Sequence, residues 1–177
     1  MQWLSRPNIQ SRMDESQMCR QKGFSLIELL IVVAIILIIA AIAIPNLLRA
    51  RIAANESSAV GSVRTLNTAQ ISYNSAYPTV GYAGTLGALS GTCTGSTIPT
   101  TAGACLIDTQ LASGTKSGYS FQITGVSGTP AGNYQAIGTP ITANTTGVRS
   151  FCSVADAVVR YSTTALTSCA GTETPLQ

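Results

Sequence analysis

An apolar segment, residues 24–48, constrains this chain more than any other feature. It is apolar or small at nearly every position, and its one full charge, Glu28, lies close to its start. A segment of about 20 such residues crosses the ~30 Å hydrocarbon core of a bilayer as a helix. A carboxylate inside it costs roughly 2.5–3.5 kcal/mol on insertion scales. Glu28 is therefore predicted to be functional and to meet a cation.

Basic residues cluster before this segment. Residues 1–23 hold four of the ten basic residues, whereas the remaining six bases nearly balance five acids. Because Lys and Arg accumulate on the cytoplasmic side of a spanning helix, we expect a cytoplasmic N-terminus and an exported C-terminal region. The exported region shows no basic stripe or patch of the kind that binds nucleic acid.

Four of the five cysteines follow the apolar segment. An even number on one side of a membrane is typical of disulfides in an oxidising compartment. They allow three pairings, of which the local one joins Cys93 to Cys105 and Cys152 to Cys169. The separations of 12 and 17 residues do not match zinc-ligand spacing, so structural disulfides are favoured over a metal site or redox chemistry.

The composition also argues against catalysis. The chain contains no histidine, which removes the commonest general base and the commonest metal ligand. A Ser-His-Asp set therefore cannot form, and paired carboxylates or a glycine-rich phosphate loop are not evident. We predict that the protein is not an enzyme and has no cofactor or metal site.

The pattern beyond the apolar segment predicts that the helix continues. Residues 49–77 are amphipathic, and a helix over 24–77 would be roughly 80 Å long at 1.5 Å per residue. Pro45 removes a backbone hydrogen bond and is predicted to kink it. The predicted buried stripe consists of Leu48, Ile52, Ala59, Val63, Leu66 and Tyr73.

The remainder predicts a variable loop followed by a sheet. Residues 78–115 are rich in Gly, Ser and Thr, with a short helical turn expected at 106–112. Residues 116–177 contain runs with strand alternation separated by turns, and these predict an antiparallel meander. The runs are 118–126, 133–141, 148–155 (with Val148, Ser150, Cys152 and Val154 on one face) and a weaker 156–162. The predicted fold class is α+β: a long N-terminal helix, with a transmembrane N-terminal half and an amphipathic C-terminal half, packed on a small antiparallel sheet.

Residues 22–33, KGFSLIELLIVV, together with Ile44-Pro45-Asn46, closely resemble type IV pilins with a class IVa-like N-terminal methylation motif. The resemblance is specific over residues 22–55 and is one of architecture beyond them. It implies that residues 1–23 are a leader and that a prepilin peptidase cleaves between Gly23 and Phe24. It also implies N-methylation of Phe24 by the same enzyme.

The resemblance gives Glu28 its cation. Glu28 would be the fifth residue of the mature chain and would dock on the α-amino group of Phe24 in a neighbouring subunit. Leaving either buried partner single costs roughly 3–5 kcal/mol, so the pair would also set the register between subunits. Residues 24–48 would then serve as the transmembrane and assembly half of the helix.

The implied life cycle has two stages. The precursor would be a single-pass inner-membrane protein with a cytoplasmic N-terminus, surrounded by membrane lipid. The inner-membrane pilus assembly machinery would then polymerise it, with minor pilins, into an extracellular filament. Such filaments, or fimbriae, serve cell adhesion, twitching motility and DNA uptake.

Other interpretations share the same motif. A type II secretion pseudopilin or a minor pilin would carry it, but major pseudopilins often have a carboxylate-rich calcium loop. Only Asp108, Asp156 and Glu173 lie in the exported half, which favours a pilin. An exported domain on a simple single-pass anchor would make Gly23-Phe24 and Glu28 coincidences. The 23-residue leader is long, and Met13 and Met18 are alternative starts to Met1.

Overall fold

A computed structural model describes residues 23–91, 95 and 98–176. The chain divides into two compact units between Ile42 and Ala43. The helices are α1 (Leu26–Ala76), α2 (Leu86–Leu89) and α3 (Thr109–Ala112). The strands are β1 (Thr115–Lys116), β2 (Tyr119–Thr124), β3 (Gln135–Pro140), β4 (Ser150–Val154), β5 (Arg160–Ser162) and β6 (Thr174–Pro175). The predicted α+β class, a long N-terminal helix with an antiparallel sheet, is confirmed.

Helix α1 runs without interruption through Pro45. Proline has no amide hydrogen, so the carbonyl of Ala41 loses its usual partner four residues on, yet the helical conformation continues on both sides. The predicted kink at Pro45 stays a prediction. The helix ends at Ala76, one residue before Tyr77, where the sequence pattern placed its end.

The buried face of α1 belongs to the second unit. Ala59, Val63, Leu66 and Tyr73 are at most 2% exposed, as the predicted stripe requires. The prediction is wrong for Leu48, which is 44% exposed, and Ile52 is only half-buried. The first buried residue of the helix is Glu56, two turns beyond Leu48, so the core does not extend to that position.

The sheet is a meander of six strands paired in chain order, each antiparallel to the next. Alternate residues of β4 enter two different clusters. Phe151 packs in the main core with Val63 and Leu66 of α1, whereas Cys152 packs with Ile137 on the other face. Both faces of the central strands are therefore covered, one by α1 and one by the C-terminal segment.

Two helical turns and two edge strands complete the second unit. The predicted turn at 106–112 is helical from Thr109 to Ala112, and Asp108 caps it by accepting the Leu111 N–H at 2.6 Å. Strands β1 and β6 have two residues each, too short to produce an alternating pattern. Short edge strands of this kind limit pairing with other sheets.

One strand prediction needs correction. Val148 was expected on the same face as Cys152, but β4 begins at Ser150 and Val148 is 45% exposed. The reason is a side chain from α1. The N–H groups of Val148 and Arg149 donate to Glu56 Oε1 at 2.9 and 3.0 Å instead of to a neighbouring strand.

Candidate assembly interface

The apolar half of α1 presents its side chains outward. Apart from half-buried Ala40, every residue from 23 to 48 is exposed. The most apolar stretch of the helix has a mean hydropathy of 3.3, and none of it is buried within the chain. By length and composition this helix can cross a membrane. A surface of this kind is far larger than soluble monomers leave open, so lipid or other apolar helices must cover it.

A hydrogen-bonded cap starts the helix at Ser25 and Glu28. The Ser25 N–H donates to Glu28 Oε2 at 3.0 Å, and the Leu29 N–H donates to the Ser25 carbonyl at 3.2 Å. The first of these bonds is one of the two that define a capping box: an acid at the third helical position returns to the amide of the cap residue. The carboxylate also lies at the positive end of the helix dipole.

The cap gives Glu28 a second role that the sequence analysis missed. The signal that would have found it is the pattern Ser25-x-x-Glu28 before an apolar run. Glu28 is exposed, and within residues 23–91, 95 and 98–176 no basic side chain pairs with it. One carboxylate oxygen binds the chain's own amide, and Oε1 accepts no hydrogen bond from the described residues.

The residues expected at the processing junction lie just outside the helix. Gly23, Phe24 and Ser25 are exposed and have no regular secondary structure. Phe24 is 86% exposed, the largest value among the described large apolar side chains. An accessible backbone outside the helix is what a protease needs to bind. The rest of the predicted leader, residues 1–22, lies outside the described residues.

The predicted Cys152–Cys169 disulfide is present, with a Cα–Cα distance of 6.0 Å. Both cysteines are buried on the face of the sheet away from α1. Glu173 lies near both sulfur atoms, but the disulfide leaves no thiolate to ligate a metal. Cys105 is also disulfide-bonded. Cys93 lies outside the described residues, so the Cys93–Cys105 pairing stays a prediction.

The three acids of the loop and sheet region, Asp108, Asp156 and Glu173, are each engaged locally. Asp108 pairs with Lys116 at 3.1 Å, and Asp156 pairs with Arg160. Hydrogen bonding from Arg160 holds the pKa of Asp156 below its usual value. Burial opposes ionisation of Glu173, but backbone N–H donors outweigh it and lower its pKa. Each carboxylate thus already has its own donors.

A buried amide pair fastens the loop after α1. The Gln70 side chain donates to the Ala83 carbonyl at 2.9 Å and accepts the Ala83 N–H at 2.8 Å. Gln70 is fully buried, so each of these bonds is shielded from water. The predicted variable loop 78–115 is therefore tied to the helix at its start.

The family of prokaryotic N-terminal methylation motifs matches residues 18–44. The type IV major pilin protein PilA of Myxococcus xanthus is 52% identical over 54 residues, covering 30% of this chain and 24% of that protein. This chain carries a prokaryotic N-terminal methylation motif. The type IV wide pilus major component PilA4 of Thermus thermophilus is 69% identical over 36 residues, covering 20% of this chain and 28% of that protein.

The matches thus span about a quarter of the length of these pilins. No solved structure matches the chain significantly. The matched methylation motif is confined to residues 18–44. It covers the stretch that contains Gly23, Phe24 and Glu28, and it ends beside Pro45.

Proposed function

We propose that this chain is a prepilin that is cleaved after Gly23 and polymerises through residues 24–48 into a type IV pilus. The observation that carries the proposal is an exposed apolar helix with one carboxylate a turn inside its start. The precursor spans the inner membrane with its N-terminus in the cytoplasm. The finished filament is extracellular.

Cleavage supplies the cation that Glu28 lacks in the single chain. Hydrolysis of the Gly23–Phe24 bond releases an α-amino group at Phe24, which the peptidase then methylates. Glu28 Oε2 accepts the hydrogen bond that caps its own helix. The other oxygen, Oε1, is therefore available to accept a hydrogen bond from the Phe24 amine of a neighbouring subunit. The cap and the docking bond are compatible because a carboxylate accepts several hydrogen bonds at once.

The geometry provides a test that separates charge from capping. Glutamine is also accepted at the third position of a capping box, whereas alanine is not. If the charge drives docking, Glu28→Gln and Glu28→Ala both reduce sheared surface filaments at least tenfold. If only the cap matters, Glu28→Gln assembles normally, and the docking role is wrong.

Sheared filaments test both the N-terminal processing of the chain and whether it is the major subunit. Mass spectrometry of sheared filaments should find this chain as the main subunit, beginning at N-methylated Phe24. Minor pilins would accompany it in small amounts. A processed chain that is absent from abundant filaments would favour the second candidate, a type II secretion pseudopilin or a minor pilin.

Adhesion, twitching motility and DNA uptake are the uses we propose for the filament. Pairing of Asp108 and Asp156 with basic neighbours supports a pilin over a calcium-binding pseudopilin, because these acids are not free to build an oxygen cage. Deleting the chain should remove surface filaments and at least one of the three activities. Secretion that fails while filaments persist would instead support the pseudopilin.

A further inference from the structure

We infer that Arg49 and Arg51 bind the phosphate groups of anionic phospholipids where the apolar helix leaves the membrane, before the subunit is assembled. The inference rests on the proposed membrane-anchored precursor. It assigns a binding role to two side chains that the docking of Glu28 does not involve.

Unpaired charge is the first observation. Among the described residues, the bases Lys116, Arg149 and Arg160 each pair with an acid. Arg49 and Arg51 are exposed, and within that part of the chain no hydrogen bond or ion pair engages their guanidinium groups. Arg64, further along α1, is also exposed and forms no ion pair with the described residues.

Position is the second observation. Arg49 directly follows the apolar segment 24–48, and Arg51 lies two residues later. Two residues advance a helix by about 200°, so the two guanidinium groups project from opposite sides of α1. A helix that leaves a bilayer at this point meets headgroups on every side. Long arginine side chains can lay their methylene stems along acyl chains while the charge reaches the phosphates.

The side of the membrane on which Arg49 and Arg51 lie also needs an explanation. In the proposed topology these arginines lie on the exported side, which the positive-inside rule disfavours. An anionic partner at that membrane surface would explain why Arg49 and Arg51 lie on this side. Arginine suits phosphate because its planar fork donates two parallel hydrogen bonds.

A second copy of the chain offers Arg49 and Arg51 few free carboxylates with which to pair. Of the five acids after Phe24, Glu56, Asp108 and Asp156 are paired with bases, and Glu173 accepts the N–H groups of Ala170 and Gly171. The fifth, Glu28, is committed to the amine of Phe24 in the proposed filament. The charges of the described residues therefore favour lipid phosphate over a neighbour's carboxylate.

The test uses the full chain in vesicles of phosphatidylcholine with and without one quarter phosphatidylglycerol. Electron paramagnetic resonance of spin-labelled lipids measures how strongly the protein selects phosphatidylglycerol over phosphatidylcholine. Variants Arg49→Gln and Arg51→Gln should each lower the wild-type selectivity, and the double variant should lower it at least twofold. Arg64→Gln removes the same charge from the same helix and should leave it unchanged.

Several results would overturn the inference. Equal selectivity in the wild type and the double variant would do so, as would an Arg64→Gln effect as large as that of Arg49→Gln, which would indicate net charge alone. If inorganic phosphate, added at the same concentration as the lipid phosphate, abolishes the selectivity of the wild type, the arginines form a general anion site. If the double variant keeps the wild-type lipid selectivity but cannot assemble filaments, the arginines instead make contacts between copies of the chain.

Vesicle flotation separates this inference from the proposed function. A chain that floats with both kinds of vesicle is membrane-inserted, and then only the lipid selectivity is in question. A chain that floats with neither would overturn the membrane-anchored precursor and this inference together. The basic residues before Gly23 are common to all variants, so comparison with the wild type cancels their contribution.

Discussion

Glu56 and Arg149 are separated by 93 residues in the sequence and form an ion pair joined by two hydrogen bonds. Nε and Nη2 of Arg149 donate to Glu56 Oε2 at 2.8 and 2.7 Å. The Glu56 side chain is 9% exposed, and its other oxygen accepts two backbone N–H groups. The guanidinium also lies over the rings of Phe151 and Tyr161. This contact connects α1 to the start of β4 in the second unit.

Replacing Glu56 by glutamine should destabilise the second unit. The new amide would turn an NH2 group toward donors of Val148 or Arg149, so two or more hydrogen bonds would be lost. We expect the free energy of unfolding to fall by about 2–4 kcal/mol. Urea denaturation of the chain in detergent measures it. Glu28→Gln is the matched control, and equal effects of the two variants would contradict the assignment.

Gly147 should not tolerate a side chain. A Cβ there would overlap the hydroxyl and ring of Tyr119, whose hydroxyl donates to the Arg149 carbonyl at 2.7 Å. Gly147→Ala is therefore expected to cost about 1–3 kcal/mol of stability through overpacking. Thermal unfolding checks this against Gly132→Ala, where a Cβ meets nothing within 4 Å. A variant at 147 that melts like the one at 132 would refute the overlap.

Loss of the Cys152–Cys169 disulfide should free the C-terminal segment. The bond closes a loop of 17 residues, worth about 3 kcal/mol in the chain-entropy model. The double variant Cys152→Ala/Cys169→Ala should unfold at correspondingly lower denaturant concentration. A reducing agent should affect the wild type more than this variant, because the variant has already lost one bond. No difference in midpoint would contradict the expectation.

The pair of Asp156 and Arg160 should make stability weakly dependent on acid pH. Hydrogen bonding from Arg160 lowers the pKa of Asp156 from its usual 3.8, so the folded value lies below the unfolded one. The stabilisation is then complete above the unfolded pKa and is lost as pH falls through the folded pKa.

The Asp156 side chain is 42% exposed, so solvent limits its contribution to below about 1 kcal/mol. Asp156→Asn should be slightly less stable than the wild type at pH 7, and the difference should shrink in acid. Denaturant titrations at pH 7 and pH 3 measure it. A gap that widens in acid would mean that the pair is not the cause.

Local features were predictable because they depend on neighbours in the chain. The apolar run, the uninterrupted helix and the strand at Tyr119–Thr124 follow from periodicity within short windows. The cap formed by Ser25 and Glu28 is equally local, but a lone acid in an apolar run points first to a distant cation. Leu48 was assigned to the core wrongly, since periodicity identifies a face but not where the covering sheet ends.

The sequence alone defined the apolar first half of helix α1 and the one acid near its start, Glu28, and it predicts a processing junction at Gly23–Phe24. Each depends on residues within a few positions of one another. The role of Glu56, one polar residue among many in an amphipathic helix, and the start of β4 at Ser150 are evident only in the folded chain. A carboxylate that binds donors more than 90 residues away leaves no local pattern, because its partners become neighbours only when the chain folds.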